Sequence, residues 1–114
     1  MILVVGGAFS GKREYVKSLG YEGSDMADAA LDEKSVLYNL QNLIAASPVS
    51  EQLMTEKLLS KSVVICNEVG SGIIPLGKDE RESREKTGRM CIILAQNAEK
   101  VVRIVCGLPT VLKG

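Results

Sequence analysis

Three short runs of this sequence, Ile2–Val5, Val63–Cys66 and Val101–Cys106, are apolar at almost every position instead of every second one. A strand with one wet face alternates apolar and polar residues, so runs of this kind fit strands covered on both faces. Each ends abruptly in glycine or polar residues: Gly6-Gly7, Asn67-Glu68 and Gly107. Parallel strands need crossover connections of a dozen or more residues, usually helical, and the segments between these runs are long enough to supply them. The chain is therefore predicted to be α/β, with a mostly parallel sheet between layers of helices. Its 114 residues, 46% hydrophobic and 25% charged, suit a single domain spanning 1–114.

The connecting segments carry helical spacing. After Gly11, the apolar positions Tyr15, Val16 and Leu19 predict a helix that Gly20 stops. Val36, Leu37, Leu40, Leu43 and Ile44 predict another, with Asp32 as N-cap and an end near Ser47-Pro48. A further helix is predicted from about Ser50 to Leu59, with Leu53, Met54 and Leu58 inward. Lys78 to Lys100, charged at first and then apolar at Met90, Ile93, Leu94 and Ala98, predicts a long surface helix. The final "TVLK" reads as an edge strand. "YEGSDMADAAL", Tyr21 to Leu31, is acidic and fits neither period.

The first strand runs into "GGAFSGK", Gly6, Gly7, Ala8, Phe9, Ser10, Gly11 and Lys12, which has the spacing G-x-x-x-x-G-K. Glycines let backbone amides wrap around a phosphate, and lysine neutralises the outer phosphates. Strand before and helix after are the context this motif requires, so the expected architecture is a P-loop NTPase-like three-layer fold that binds ATP or GTP. The bland alternative is a tight structural turn. A dinucleotide fingerprint is disfavoured, because G-x-G-x-x-G is absent and no acidic residue clearly ends a second strand about 20 residues on. Serine or threonine normally follows the lysine and coordinates magnesium. Here Arg13 follows, a fixed cation that cannot serve as a metal ligand. Magnesium is thus an expected companion without its usual ligand, and Arg13 reads either as a phosphate contact or as an exposed first-turn residue.

Ligands in open α/β sheets collect at the carboxyl ends of strands, which places Asn67, Glu68 and Gly70 beside the loop. Glu68 can accept a proton, or it can end in a salt bridge or cap; Asn67 offers only a neutral carbonyl. The residues read as catalytic are Lys12 and Glu68, and those read as nucleotide-binding are Gly6 to Arg13, Asn67 and Gly70. Asp25 and Asp28 are alternative metal carboxylates. Gly70, Gly72 and Pro75 also read as a shaped turn, and Arg84 and Arg89 as either phosphate contacts or solvated charges.

Composition narrows the partners. Fourteen basic and fourteen acidic residues cancel, giving no general field to attract nucleic acid or an anionic membrane. No stretch approaches a membrane span and the short opening run has no basic leader, so a cytoplasmic location is expected. Three widely spaced cysteines, Cys66, Cys91 and Cys106, read as buried reduced thiols. Histidine is absent altogether, which removes a histidine base, a nucleotidyl-histidine intermediate and histidine-ligated zinc.

"GGAFSGK", "NEVGSGIIP" from Asn67, "REKTGR" from Arg84 and "CGLPTVLK" from Cys106 together resemble the bifunctional adenosylcobinamide kinase and adenosylcobinamide-phosphate guanylyltransferase family of cobalamin biosynthesis. The resemblance extends loosely to "VLYNLQNLI". It implies nucleoside triphosphate binding at Gly6 to Lys12, an active-site border at Asn67 to Gly70, a corrinoid substrate and a homo-oligomer, often a trimeric ring. It also implies two steps: phosphorylation of the aminopropanol hydroxyl of adenosylcobinamide, then guanylyl transfer from GTP through a histidine. The sequence departs from the pattern at Arg13, where the family usually has serine, and at Cys91-Ile92, where asparagine-glutamine is common. No acidic residue clearly ends a strand before "VLYNLQNLI", and the segment that carries the guanylylated histidine is missing. Two readings follow: a minimal kinase without the guanylyl step, or a nucleotide-binding regulatory or assembly homologue without turnover.

Overall fold

The computed structural model describes residues 1–47, 49–68 and 78–114, the side chains of residues 78 and 79 excepted. Six strands form one sheet: β1 (Ile2–Gly6), β2 (Met26–Asp28), β3 (Val36–Tyr38), β4 (Val63–Asn67), β5 (Lys100–Val105) and β6 (Leu108–Lys113). Their spatial order is β2-β3-β4-β1-β5-β6. All neighbours are parallel except the β5–β6 hairpin. In the dinucleotide fold the first strand lies beside the strand that follows its helix. Here β1 lies between β4 and β5, which excludes that fold on topology as well as on motif.

The apolar runs are explained by two cores. Leu3, Leu37, Val64, Cys66 and Val101 pack against α2 (Leu40–Ala46), α3 (Glu51–Leu59) and α4 (Lys78–Asn97). Their chain neighbours Val4, Val36, Val63, Ile65 and Val102, with Ile104, face α1 (Lys12–Ser18) through its buried Val16. Successive side chains of a strand point to opposite faces, and both faces are dry. On α4 the buried residues Thr87, Met90 and Leu94 follow the helical repeat across the C-terminal half, and buried Ala98 follows its end. Lys113 of β6 donates to the carbonyls of Ala95 at 3.1 Å and Gln96 at 3.0 Å, tying the edge strand to the end of that helix.

The structure corrects several expectations, among them that all three cysteines are buried and that no acidic residue ends a strand before "VLYNLQNLI": Cys106 is exposed and Asp28 ends β2. Val36 and Leu37 belong to β3, not to the helix that starts at Leu40. Asn39 between them takes a left-handed conformation (φ 57°) that ends the strand and starts the helix, and asparagine tolerates this region better than most residues. Asp32 accepts a bond from the Lys34 amide at 2.9 Å and so shapes a turn before β3 instead of capping α2. Leu53 is exposed, whereas Met54 and Leu58 are buried as expected. The unassigned acidic stretch contains β2. Of the cysteines, Cys66 is buried, Cys91 is half-buried and Cys106 is exposed in the β5–β6 turn. No helix among the described residues is long and apolar enough to cross a membrane.

Candidate functional site

The loop from Gly7 to Gly11 joins the end of β1 to the start of α1. Gly6 has no room for a side chain: a Cβ there would lie 2.5 Å from the Ile104 carbonyl oxygen and 2.7 Å from Ser10 Oγ. Gly11 sits at φ 93° against Gly107, in a region closed to most side chains. Phe9 also has positive φ (59°), with its ring fully exposed on the loop crest. Two neighbours brace the loop. The Glu68 amide donates to the Gly6 carbonyl at 2.8 Å, and the Gly107 amide donates to the Ser10 carbonyl, also at 2.8 Å.

Lys12, the first residue of α1, is buried, and its Nζ donates to the Gly7 carbonyl at 2.5 Å and to Ser10 Oγ at 3.4 Å. Burial holds its pKa below the ordinary 10.5, partly offset by the negative charge of Glu68 and Glu14. The buried ammonium thus folds back onto one loop carbonyl and one loop hydroxyl. The cavity beside it is about 550 Å³, lined by the loop, Arg13, Glu14, Asp28, Tyr38, Asn39, Ile65 and Asn67. That volume lies within the range of small-molecule sites.

The wall opposite the loop is made by the carboxyl ends of β2 and β3. Asp28 accepts a bond from Asn39 Nδ2 at 2.7 Å, and the Arg13 guanidinium lies 4.9 Å over the Tyr38 ring, within cation–π range. Asn67 closes the third side, its amide donating to Gln41 Oε1 at 3.2 Å. Glu68 is elsewhere engaged. Arg103, on β5, reaches across β1 to it, with Nε 2.6 Å from Oε1 and Nη2 3.2 Å from Oε2.

The expected loop residues and Asn67 thus come together around one cavity, while Glu68 braces the loop through its backbone and points its carboxylate to Arg103. Gly70, Gly72 and Pro75 lie outside the described residues. Asp25 accepts from the Glu22 amide at 2.8 Å, in a turn before β2. Arg89 faces Glu51 of α3, 3.9 Å away, and does not line the cavity. Asp28 was a secondary expectation and is the strand-end carboxylate that the structure puts on the cavity wall. Between β4 and α4, hydrogen bonding between the Cys66 and Cys91 thiols raises the pKa of Cys66, aided by burial, and lowers that of Cys91.

The fold class implies magnesium beside bound phosphates, and magnesium demands oxygen ligands in near-octahedral array. Around this loop the hydroxyl position holds a guanidinium, the end of β4 offers the carboxamide of Asn67, and both Glu68 oxygens are occupied by Arg103. These residues do not fit the usual metal site.

A parallel α/β sheet whose central strand opens through a glycine loop and a buried lysine into a strand-end cavity defines a P-loop NTPase-like protein. Residues 26–112 match the family model described as cobinamide kinase / cobinamide phosphate guanyltransferase, and the chain belongs to that family. It is similar to the bifunctional adenosylcobalamin biosynthesis protein CobP of Pseudomonas aeruginosa, at 34% identity over 58 residues. That match takes in 51% of this chain and 34% of the relative's length, so the chain spans about a third of that relative.

Proposed function

We propose that this protein binds ATP or GTP at the Gly6–Lys12 loop and transfers a phosphoryl group to the hydroxyl of a cobinamide-type alcohol. Membership of the cobinamide kinase / cobinamide phosphate guanyltransferase family supports a place in cobalamin biosynthesis. The observation that carries the reading is the buried Lys12, poised on the Gly7 carbonyl and the Ser10 hydroxyl at the edge of a cavity whose far wall holds a carboxylate. In this mechanism Lys12, Arg13 and the loop amides stabilise charge on the phosphates, which is most of what phosphoryl transfer requires of a protein. The acceptor oxygen forms a bond to the γ-phosphorus as the bond to the bridging oxygen breaks, and a carboxylate takes the hydroxyl proton. Asp28 is better placed for that proton than Glu68: it lines the cavity with Asn39 donating to one oxygen, while Arg103 binds both oxygens of Glu68. A guanylyl step through histidine is not proposed, since the sequence contains none.

Incubation with ATP or GTP and adenosylcobinamide, read by mass spectrometry, tests the proposal. One added phosphate on the corrinoid is expected; an unchanged corrinoid with tight nucleotide binding would favour the second reading. That reading, a nucleotide-binding homologue without turnover, has its own support in the Glu68–Arg103 pair and in Arg13. Assembly into a homo-oligomer, by analogy with the trimeric ring of the family, is also proposed. The exposed Leu108, Val111 and Leu112 of β6 support it, and sedimentation equilibrium decides it.

A further inference from the structure

The residues around the loop reject the usual metal, and they also offer a replacement for its charge. We propose that Arg13 is a built-in counter-cation, so that the cavity binds nucleoside triphosphate in its metal-free form. The inference rests on the nucleotide-binding reading and deepens it by naming the ionic form of the ligand.

Three observations carry it. Arg13 stands at the position that normally supplies the metal-binding hydroxyl, directly after Lys12, and it lines the same cavity. Its guanidinium is held at 4.9 Å over the Tyr38 ring, which fixes a long side chain against the wall facing the loop and leaves the edge of the planar fork for hydrogen bonds. Finally, the donors that usually hold magnesium in this fold class are displaced or neutralised. Asn67 is uncharged at pH 7, and the Glu68 oxygens are bound by Arg103. Among the described residues no cluster of three metal-ligating side chains occurs.

The charge arithmetic agrees. A phosphate site whose metal is replaced by a second fixed cation carries Lys12 and Arg13 together, and a guanidinium forms paired, charge-assisted bonds to phosphate oxygens. Asp28 and Glu14, the carboxylates on the cavity wall, repel those oxygens and would be the only ionised side chains of the lining able to draw a divalent cation.

Calorimetric titration with ATP in EDTA and in excess magnesium tests the inference on the whole chain. The wild type is expected to bind within about threefold of the same affinity in both. Arg13→Ser should lose about ten- to hundredfold of its EDTA affinity, the range for a hydrogen bond to a charged group, and should recover part of it with magnesium. Arg13→Lys should bind in EDTA more tightly than Arg13→Ser and less tightly than the wild type, since it keeps the charge and loses the paired bonds. Thermal melting confirms that these variants are folded. Binding by the wild type only in magnesium, or an Arg13→Ser variant indistinguishable from it in EDTA, overturns the inference while leaving nucleotide binding standing. No binding in either buffer overturns both.

Discussion

The carboxyl ends of β1 and β4 are neighbours, paired Gly6 to Asn67 and joined by the Glu68 amide on the Gly6 carbonyl, yet they are chemically unlike. At the end of β1 the proposed anion site gathers a turn with no room for a side chain at Gly6, a buried lysine and a following arginine. At the end of β4 the charge is cancelled. Glu68 is locked to Arg103 from the far side of β1, and Asn67 is uncharged with its amide held by Gln41. The loop proposed to hold phosphate therefore lies beside a strand end whose carboxylate is bound by Arg103. The difference teaches that the two halves of such a site can be separated; under the proposed mechanism the acid–base work falls to β2, where Asp28 lines the cavity.

If that division is right, the two carboxylates must respond differently. Asp28→Asn should lower phosphoryl transfer to adenosylcobinamide by about 10²- to 10⁴-fold, the usual range for losing a positioned general base, with nucleotide affinity nearly unchanged. Glu68→Gln should change the rate little; a reversal of that order breaks the comparison outright.

The loop itself can be probed by volume. Gly6→Ala drives a Cβ into the Ile104 carbonyl and Ser10, where Gly7→Ala meets nothing within 4 Å. Overpacking of this kind costs about 1–3 kcal/mol, so the urea midpoint should fall for Gly6→Ala and stay for Gly7→Ala. A smaller effect is expected from Arg103→Ala. It removes a partly exposed ion pair worth about 1 kcal/mol or less and frees Glu68 toward the loop. Any magnesium sensitivity gained by that variant would show that Arg103 is what keeps β4 out of metal binding.

The smallest expected effect is that of pH. Burial lowers the Lys12 pKa below 10.5, and a bound phosphate favours the charged form. Nucleotide affinity should hold through neutral pH and decline on the alkaline side before 10.5, with proton uptake on binding in that range. In the free protein the sign is opposite: burial of the charge opposes folding while Lys12 is protonated, and this is relieved as pH rises through its lowered pKa. An affinity flat to beyond 10.5 would deny Lys12 its role.

Much of this was legible in sequence because buried parallel strands and glycine loops leave strong local signatures. Ile2–Val5, Val63–Cys66 and the hairpin strand from Val101 needed no tertiary context, nor did the turn from Gly6 to Lys12. The misreading of Val36 and Leu37 has a physical cause. A three-residue strand is too short to show its own period, and Val36, Leu37, Leu40, Leu43 and Ile44 fall at helical spacing across the left-handed break at Asn39. Tyr-Asn between two apolar stretches was the available sign of that break. Asp28 was read only as an alternative metal carboxylate for a related reason: β2 is three residues inside an acidic stretch, and only its pairing with β3 gives it a carboxyl end. The engagement of Glu68 by Arg103, 35 residues away in the chain, could not be read locally at all. It follows from β5 pairing with β1 on the side away from β4.

The central claim, that Gly6–Lys12 is a working phosphate site, is tested most directly by calorimetric titration of the wild type and a Lys12→Ala variant with ATP and with GTP. Micromolar binding by the wild type, lost on removal of the buried ammonium while the fold remains intact, is the expected result. Equal binding by both proteins, or none by either, would contradict it and leave the loop a structural turn.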